Sequence, residues 1–480
     1  MADVLVYHSH IEVTPYEKGD CPEIEKLMSR YDAVTHKRIP VAYYIEDNTL
    51  YLPRGISITL LEKYFGGIPA VVPQPDPYPK IKKGVATYKP KSTIQENAIK
   101  FLTAEDEYGY ARIYSQFGLN LDTGEGKTYS TVTAILKLKI KTIIITHQEK
   151  LKSQWIKTFD EMTTFPIENI CNISGSDVMD KIMNGDINAE IYFVNHQTLS
   201  AYAREHGWKS IREFFKKIKV GIKVIDESHK FFENIFMIDN FSNCFKTFYL
   251  TATFGRGDES EIRIYNRAFS SLVRYGENPR DIEERRKHIN FIVVYFASQP
   301  NYNILPNVKS NYGFSSYKYI DYELSEENNS LRKVLFNILE QTRNLEGKTL
   351  VVSPKMESVD KIANEIKDRL GLDVGVVYSK NSPEVNKDNL EKNIISSTIK
   401  SIGEGVDIKG LRVLINLEPI GGKNLASQLR GRLREYSEDE DTYLFYPVDT
   451  TLPESTMLLK RILPTMKKKC KEIIFMRMNV

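Results

Sequence analysis

Short apolar, β-branched runs recur along this chain, separated by polar, helix-compatible stretches, and the rhythm changes twice. From about Lys89 onward, residues 142–146, 191–194, 223–225 and 247–250 are mostly apolar or β-branched rather than alternating. That pattern predicts strands buried on both faces, as in a parallel sheet covered by crossover helices. A second series begins near His288, with strands predicted at 291–296, 349–352, 374–377, 393–397, 413–417 and 442–445. A long amphipathic segment, 326–344, lies between its first two strands. Residues 1 to about 85 read differently. Strand-like runs at 4–7, 41–45 and 49–52 mix with helix-like segments at 22–31 and 59–64. Prolines at 69, 73, 75, 77 and 79 then predict an extended, semi-rigid linker. The expectation is an α/β chain with a small α+β domain, 1–85, followed by two parallel-sheet lobes, 86–286 and 287–480.

Composition narrows this little. With 41% hydrophobic and 27% charged residues in 480, the chain is neither disordered nor fibrous. Its net charge of +3 means that a polyanion would be met by local patches rather than by a global field. Up to residue 85 there are ten Lys/Arg against eleven Asp/Glu, so the first domain has no basic footprint and scaffolding is an alternative role for it. Cys21, Cys171, Cys244 and Cys470 are far apart and form no CxxC pair, which argues against a disulfide framework or a zinc module. The N-terminus has no signal pattern, and no apolar run approaches the ~20 residues of a membrane span. A cytoplasmic protein is expected.

Candidate chemistry begins at Gly118-Leu119-Asn120-Leu121-Asp122-Thr123-Gly124-Glu125-Gly126-Lys127-Thr128, just before the helix-compatible run 129–137. Glycines let the backbone approach an anion, and the first amides of a helix and its dipole favour negative charge. Such a loop suits a nucleotide phosphate, with Lys127 reaching the β- and γ-phosphates and the Thr128 hydroxyl on Mg²⁺. The match is incomplete, because Leu121 stands where the pattern has its first glycine. A glycine-rich turn beside a solvated lysine is the bland alternative. Asp226-Glu227-Ser228-His229, ending the strand pattern 99 residues after Lys127, weighs against it. Ligands bind at the carboxyl edge of an open parallel sheet, where the first acid would hold Mg²⁺ and the second polarise the attacking water.

In order, Gly124–Thr128, Asp226-Glu227-Ser228-His229 and Thr251-Ala252-Thr253 resemble the first three core motifs of superfamily 2 helicases. Ser397-Thr398-Ile399-Lys400-Ser401-Ile402-Gly403-Glu404-Gly405-Val406-Asp407 resembles their fifth motif, and Gln428-Leu429-Arg430-Gly431-Arg432-Leu433-Arg434 their sixth. Gln95 stands where many members read adenine. Thr146-His147-Gln148 together with Leu151, Gln154 and Trp155 resembles a DNA-tracking element. The resemblance spans residues 88–450 and implies two tandem RecA-like lobes using ATP and Mg²⁺. It implies nucleotide contacts at Gln95, Asp122, Thr123, Gly124, Glu125, Gly126, Lys127, Thr128, Gly405 and Asp407, with Thr128 and Asp226 on the metal. Lys127, Asp226, Glu227, Gln428, Arg432 and Arg434 would be catalytic, and His147, Gln148, Gln154, Thr398 and Ser401 would contact nucleic acid. Within the superfamily the likeness is to bacteriophage branch-migration helicases of the UvsW type. Residues 428–432 also have a RecG flavour, and Leu50-Tyr51-Leu52-Pro53-Arg54-Gly55 resembles part of the phage family's N-terminal domain.

This implies a monomeric helicase acting on forked, branched or single-stranded DNA, with replication or recombination proteins as partners and no membrane. An RNA helicase, or an ATP-switched nucleic-acid-binding module with little unwinding, are the alternatives. The departures concern the arginine that completes hydrolysis: Glu435 occupies the usual second-arginine position, leaving Arg432 or Arg434 to serve. Asp122 replaces the more usual Pro or Ala, and Ser228 is unusual between Glu227 and His229. The basic run 204–219 and the tail 460–471 are each either phosphate contacts or solvated helix faces. Trp155 and Trp208 are either base-stacking or core residues.

Overall fold

Alternation at the N-terminus turns Val4, Val6, Ile11 and Val13 to one face, and the computed structural model of the chain builds a mixed sheet on that face. The structure describes residues 2–32, 35–72, 80–81, 84–105, 115–121, 124–251, 259–270, 272–276, 287–298, 305–311, 313–325, 327–402, 406, 408–434, 436 and 440–480. It divides into two units, Met1–Arg285 and Arg286–Val480.

In the first unit, β1 (Asp3–Val6) pairs antiparallel with β2 (His10–Thr14). The predicted helix at 22–31 is a helix only over Pro22–Leu27. Beyond it, β3 (Ser29–Asp32) pairs with β4 (Lys37–Pro40), because the Met28 carbonyl accepts the Val41 and Ala42 amides and folds the chain back. β5 (Tyr44–Glu46), β6 (Thr49–Pro53) and β7 (Ala70–Val71) complete a sheet of order β5-β6-β2-β1-β7. The predicted linker thus starts late, since Ala70 and Val71 pair with β1; residues 73–79 lie outside the described residues.

The first parallel sheet contains β8 (Gln116–Asn120), β9 (Thr142–Thr146), β10 (Ile170–Ile173), β11 (Ile191–Asn195), β12 (Ile222–Ile225), β13 (Lys246–Thr251) and β14 (Val273–Tyr275). Its order is β10-β11-β9-β12-β13-β8-β14, with every pairing parallel. The four predicted strands form its centre. β8, β10 and β14 carry a glycine, polar residues or an arginine, which hid them from an apolar count.

The mixed sheet is not a separate globule. Val6, Ile11, Leu50, Leu52, Ile56 and Leu61 share one buried cluster with Ile225, Phe232, Tyr249, Tyr265 and Phe269 of the lobe. The basic run 204–219 takes part in this docking. It splits at Gly207 (φ 79°) into helices His196–His206 and Trp208–Ile218. From the second, Arg212 pairs with Glu12 at 2.6 Å and Lys209 with Asp47. The run therefore spends two of its cations on the accessory sheet.

The second unit is a sheet of β15 (Ile289–Phe296), β18 (Lys348–Ser353), β19 (Val374–Val377), β20 (Ile394–Thr398), β21 (Leu411–Asn416), β22 (Thr442–Asp449) and β23 (Glu472–Arg477). A short pair, β16 (Lys309–Ser310) and β17 (Gly313–Phe314), stands apart from it. The order is β19-β20-β18-β21-β22-β15-β23, again all parallel. Two buried clusters hold it. The segment predicted at 326–344 is helix Ser330–Thr342. Lys467, Lys468 and Lys469 end helix Pro453–Lys469, where cations suit the dipole. Two RecA-like lobes with a small mixed-sheet domain is the architecture. All four cysteines are buried and unpaired, and among the described residues no helix is long and apolar enough to cross a membrane.

Candidate active site

Strand β13 lies between β12 and β8, with Asn120 opposite Thr251 and Ile225 opposite Tyr249. The loop after β8 and the acids after β12 therefore leave the same edge of one sheet. The loop uses left-handed backbone at Gly124 (φ 94°) and Gly126 (φ 88°). A side chain there would cost about 1–2 kcal/mol. At Gly126 a Cβ would also collide with the Gln95 amide. Helix Lys127–Leu138 starts from Gly126 without a side-chain cap, which leaves its first amides for an outside acceptor.

Lys127 Nζ donates to the Leu121 carbonyl at 2.9 Å and lies 3.8 Å from Glu227 Oε1. Two donors orient Asp226: the Trp155 indole reaches Oδ2 at 2.9 Å and the Glu227 amide reaches Oδ1 at 3.0 Å. Burial, then the Glu227 charge, raises the Asp226 pKa. Burial alone would raise Glu227 too, but the Lys127 ammonium, followed by His229, outweighs it and holds that pKa below the ordinary value. Glu227 sits at φ 51°, a strained position for a residue with a Cβ. Burial pushes His229 down to about 4, so its ring is neutral at pH 7. Its Nδ1 lies 2.8 Å from Thr251 Oγ1 and 3.3 Å from Glu227 Oε2. Lys127, Glu227, His229 and Thr251 thus form one connected polar chain along the sheet edge.

Gln95 belongs to helix Thr93–Thr103, and Ser92 Oγ accepts its amide at 3.3 Å. Its side chain joins that helix start to the loop: Oε1 accepts from the Lys91 amide at 2.9 Å, and Nε2 donates to the Glu125 carbonyl at 3.2 Å. A primary amide has a second lone pair and a second hydrogen, so these bonds leave it capacity for a base edge. Among the described residues no group of three or more His, Cys, Asp or Glu converges as a metal site. A Mg²⁺ that arrives on nucleotide phosphates needs only one or two protein ligands. Asp226, with spare lone pairs on both oxygens, and the Thr128 hydroxyl in the first helical turn fit such an ion.

In the second unit, helix Lys423–Arg430 carries Gln428 and ends at Gly431. The Arg432 and Leu433 amides continue as a turn, bonding the Leu429 and Arg430 carbonyls at 3.1 and 3.0 Å. Leu433 is buried, Arg432 Nη1 donates to the Val406 carbonyl at 2.5 Å, and Arg434 is exposed. Thr398 Oγ1 and Ser401 Oγ lie 2.8 Å apart, in a turn that the Ser401 amide closes on Thr398 at 3.1 Å. Asp122, Thr123, Gly405, Asp407 and Glu435 lie outside the described residues, as do Ala252 and Thr253.

Residues 90–256 match the family of the type III restriction enzyme res subunit, and residues 328–435 match the helicase conserved C-terminal domain. The chain thus carries, in order, the two domains of a superfamily 2 helicase. Among solved structures, S. cerevisiae Dbp5 bound to RNA and ADP BeF3 is similar to this helicase at TM-score 0.51 and 14% identity, over 81% of this chain and 90% of that one. The Pyrococcus furiosus Hef helicase domain gives 0.49 and 15%, over 76% and 97%. T4 UvsW gives 0.37 and 16%, over 99% of both chains. The Dbp5 likeness bears on the fold alone. No curated protein sequence matches the helicase.

Of the residues expected to touch nucleic acid in the first lobe, His147 is buried after β9, where burial lowers its pKa. Gln148 and Gln154 are exposed at the start and on the face of helix Glu149–Met162. Sequence reasoning left Trp155 between core and base stacking; in the helicase it is core and also the donor that holds Asp226. No local signal links residues 71 positions apart. Trp208 stacks on Phe241 at 5.7 Å.

Proposed function

We propose that this helicase is an ATP-dependent translocase acting on forked or branched DNA in phage replication or recombination. The observation that carries the reading is the convergence of Lys127, Asp226 and Glu227 at one sheet edge, with Lys127 Nζ 3.8 Å from Glu227 Oε1. Phosphates on residues 124–128 compete with Glu227 for the Lys127 ammonium, and the released carboxylate orients or deprotonates water. Thr128 and Asp226 would hold Mg²⁺, which neutralises charge on the transferring phosphoryl group. Gln95 reads adenine, and Gln428 helps position the nucleotide or water. Arg432, supported by Arg434, supplies a planar guanidinium that lysine cannot copy. Hydrolysis that depends on lobe closure alternates grip and release of one strand. Thr398, Ser401, His147, Gln148 and Gln154 meet that strand without sequence preference. The preference for DNA rests on the resemblance of residues 50–55 to the phage family.

The test is steady-state ATPase of the full chain with single-stranded, duplex and forked DNA and with RNA. Forked DNA should stimulate most. Stimulation by RNA equal to that by DNA would replace the reading with an RNA helicase. No stimulation by any of the four would leave an ATP-switched binding module.

A further inference from the structure

Between the accessory sheet and the first lobe lies a cavity of about 430 Å³, walled in part by Tyr7, His8, Arg54, Ser57, Ile58 and Ser115. Ligand cavities usually run from about 300 to 1,000 Å³. It reaches Gln116, the first residue of β8, whereas the nucleotide loop follows the last, Asn120. At about 3.3 Å per residue the two sites are on the order of 15 Å apart along that strand.

Charge singles this cavity out. Arg54 is half-buried in its wall, and no described carboxylate pairs with it. Asp239 shares a narrow crevice with Arg54, but Lys223 Nζ (2.5 Å) and the Tyr249 hydroxyl (2.7 Å) already engage its two oxygens. Glu12, the carboxylate acting on Tyr7, is held by Arg212 at 2.6 Å and His10 at 3.2 Å. One further cation, Lys246, acts on His8. Burial, then the charges of Arg54 and Lys246, lowers the His8 pKa, and Lys246 is buried against the Phe117 and Phe245 rings at 4.9 and 4.8 Å.

The hydroxyls of the wall are turned to other tasks. Ser57 caps the Leu60 amide at 3.2 Å, Ser115 donates to the His8 carbonyl at 3.1 Å, and Ser270 donates to the Gly55 carbonyl. Donors remain: the Arg54 guanidinium, the His8 ring, and the Ile58 amide in the first turn of helix Ile58–Phe65, which no intrahelical carbonyl can take. A half-buried cation with no described carboxylate beside it is costly until an anion completes it.

We propose that this cavity is a second anion site, taking a phosphate group on Arg54, His8 and the N-terminus of helix Ile58–Phe65, apart from the nucleotide loop. Phosphate oxygens match the forked donors of a guanidinium and the amides of a helix start. A nucleic-acid backbone and a free phosphate present the same oxygens, and the probes separate them.

The experiment is isothermal titration of the full chain with inorganic phosphate and, separately, with a short single-stranded oligonucleotide. Both run in a Lys127→Ala background that silences the nucleotide loop. At least one probe should bind, and Arg54→Gln should weaken it at least tenfold, with Arg54→Lys losing less. Phosphate binding that Arg54→Gln weakens identifies a free anion; oligonucleotide binding that Arg54→Gln weakens, without phosphate binding, identifies the backbone. His8→Gln guards against misfolding of the Arg54 variants, because His8 bonds its neighbours through its amide and carbonyl. It should weaken binding severalfold. Equal affinity in the parent, Arg54→Gln and His8→Gln, or no binding of either probe once Lys127 is replaced, overturns the proposal.

Discussion

Lys127 holds a carbonyl and a carboxylate at once, so a single substitution removes the group on which the loop and the second sheet motif converge. Lys127→Ala should lower nucleic-acid-stimulated ATPase about 10²–10³-fold, the usual cost of removing one donor from a developing charge. Glu227→Gln should bind ATP normally and turn over as slowly; parental turnover in either variant would overturn the site. Trp155→Phe keeps an aromatic ring in the core and deletes one hydrogen bond to a carboxylate, worth about 1.5–3 kcal/mol. Turnover should fall roughly tenfold or more, and an unchanged kcat would make that contact passive. Arg432 and Arg434 differ in setting: the first is tied to the Val406 carbonyl, the second is exposed. Arg432→Lys should lose most nucleic-acid-stimulated turnover at near-normal ATP binding, and Arg434→Lys less. The opposite order assigns the role to Arg434.

Elements explain why those residues keep their places. The helix that carries Gln428 ends at Gly431 rather than starting there, and Arg432 follows in a turn. Glycine is compatible with either direction, and the buried Ala426 and Leu429 on the preceding stretch decide it. At the nucleotide loop, Gly126→Ala combines a left-handed φ with a collision on Gln95. It should weaken ATP binding by about 1–3 kcal/mol, the range for forced overpacking, while Gly19→Ala, also at positive φ but in open space, should leave binding unchanged. Fluorescent-nucleotide titration of the two variants checks this. Strand β8 was not legible because Gln116-Phe117-Gly118-Leu119-Asn120 is short and interrupted by glycine, yet it carries the loop.

At the scale of the molecule, the accessory sheet is part of the first unit's core. A chain lacking residues 1–72 exposes Phe232, Tyr265 and Phe269, which share one buried cluster with Ile11, Leu52 and Ile56. It should melt at lower temperature or aggregate; an unchanged melting temperature would make the shared cluster dispensable. Buried histidines set a pH dependence. Burial lowers His196 to about 4, against about 6.5 in an unfolded chain. Between those values the unfolded chain binds the extra proton, so stability is full above pH 6.5 and falls as pH drops toward 4. Thermal melts from pH 7 to 4.5 should show a shallower decline in His196→Asn than in the parent.

Periodicity and spacing alone determined the central strands of the two parallel sheets, because strands buried on both faces are mostly apolar, and they determined the loop and acid pair, because phosphate chemistry constrains residue types locally. The docking of the first domain was decided by tertiary structure. Arg212 on Glu12, and the cluster joining Leu52 to Phe269, link positions hundreds of residues apart that carry no local sign of their partner. The same holds for Trp155 on Asp226 and for the setting of Arg54, beside which no described carboxylate lies. Each depends on which surfaces close against one another, and a linear pattern does not encode that distance.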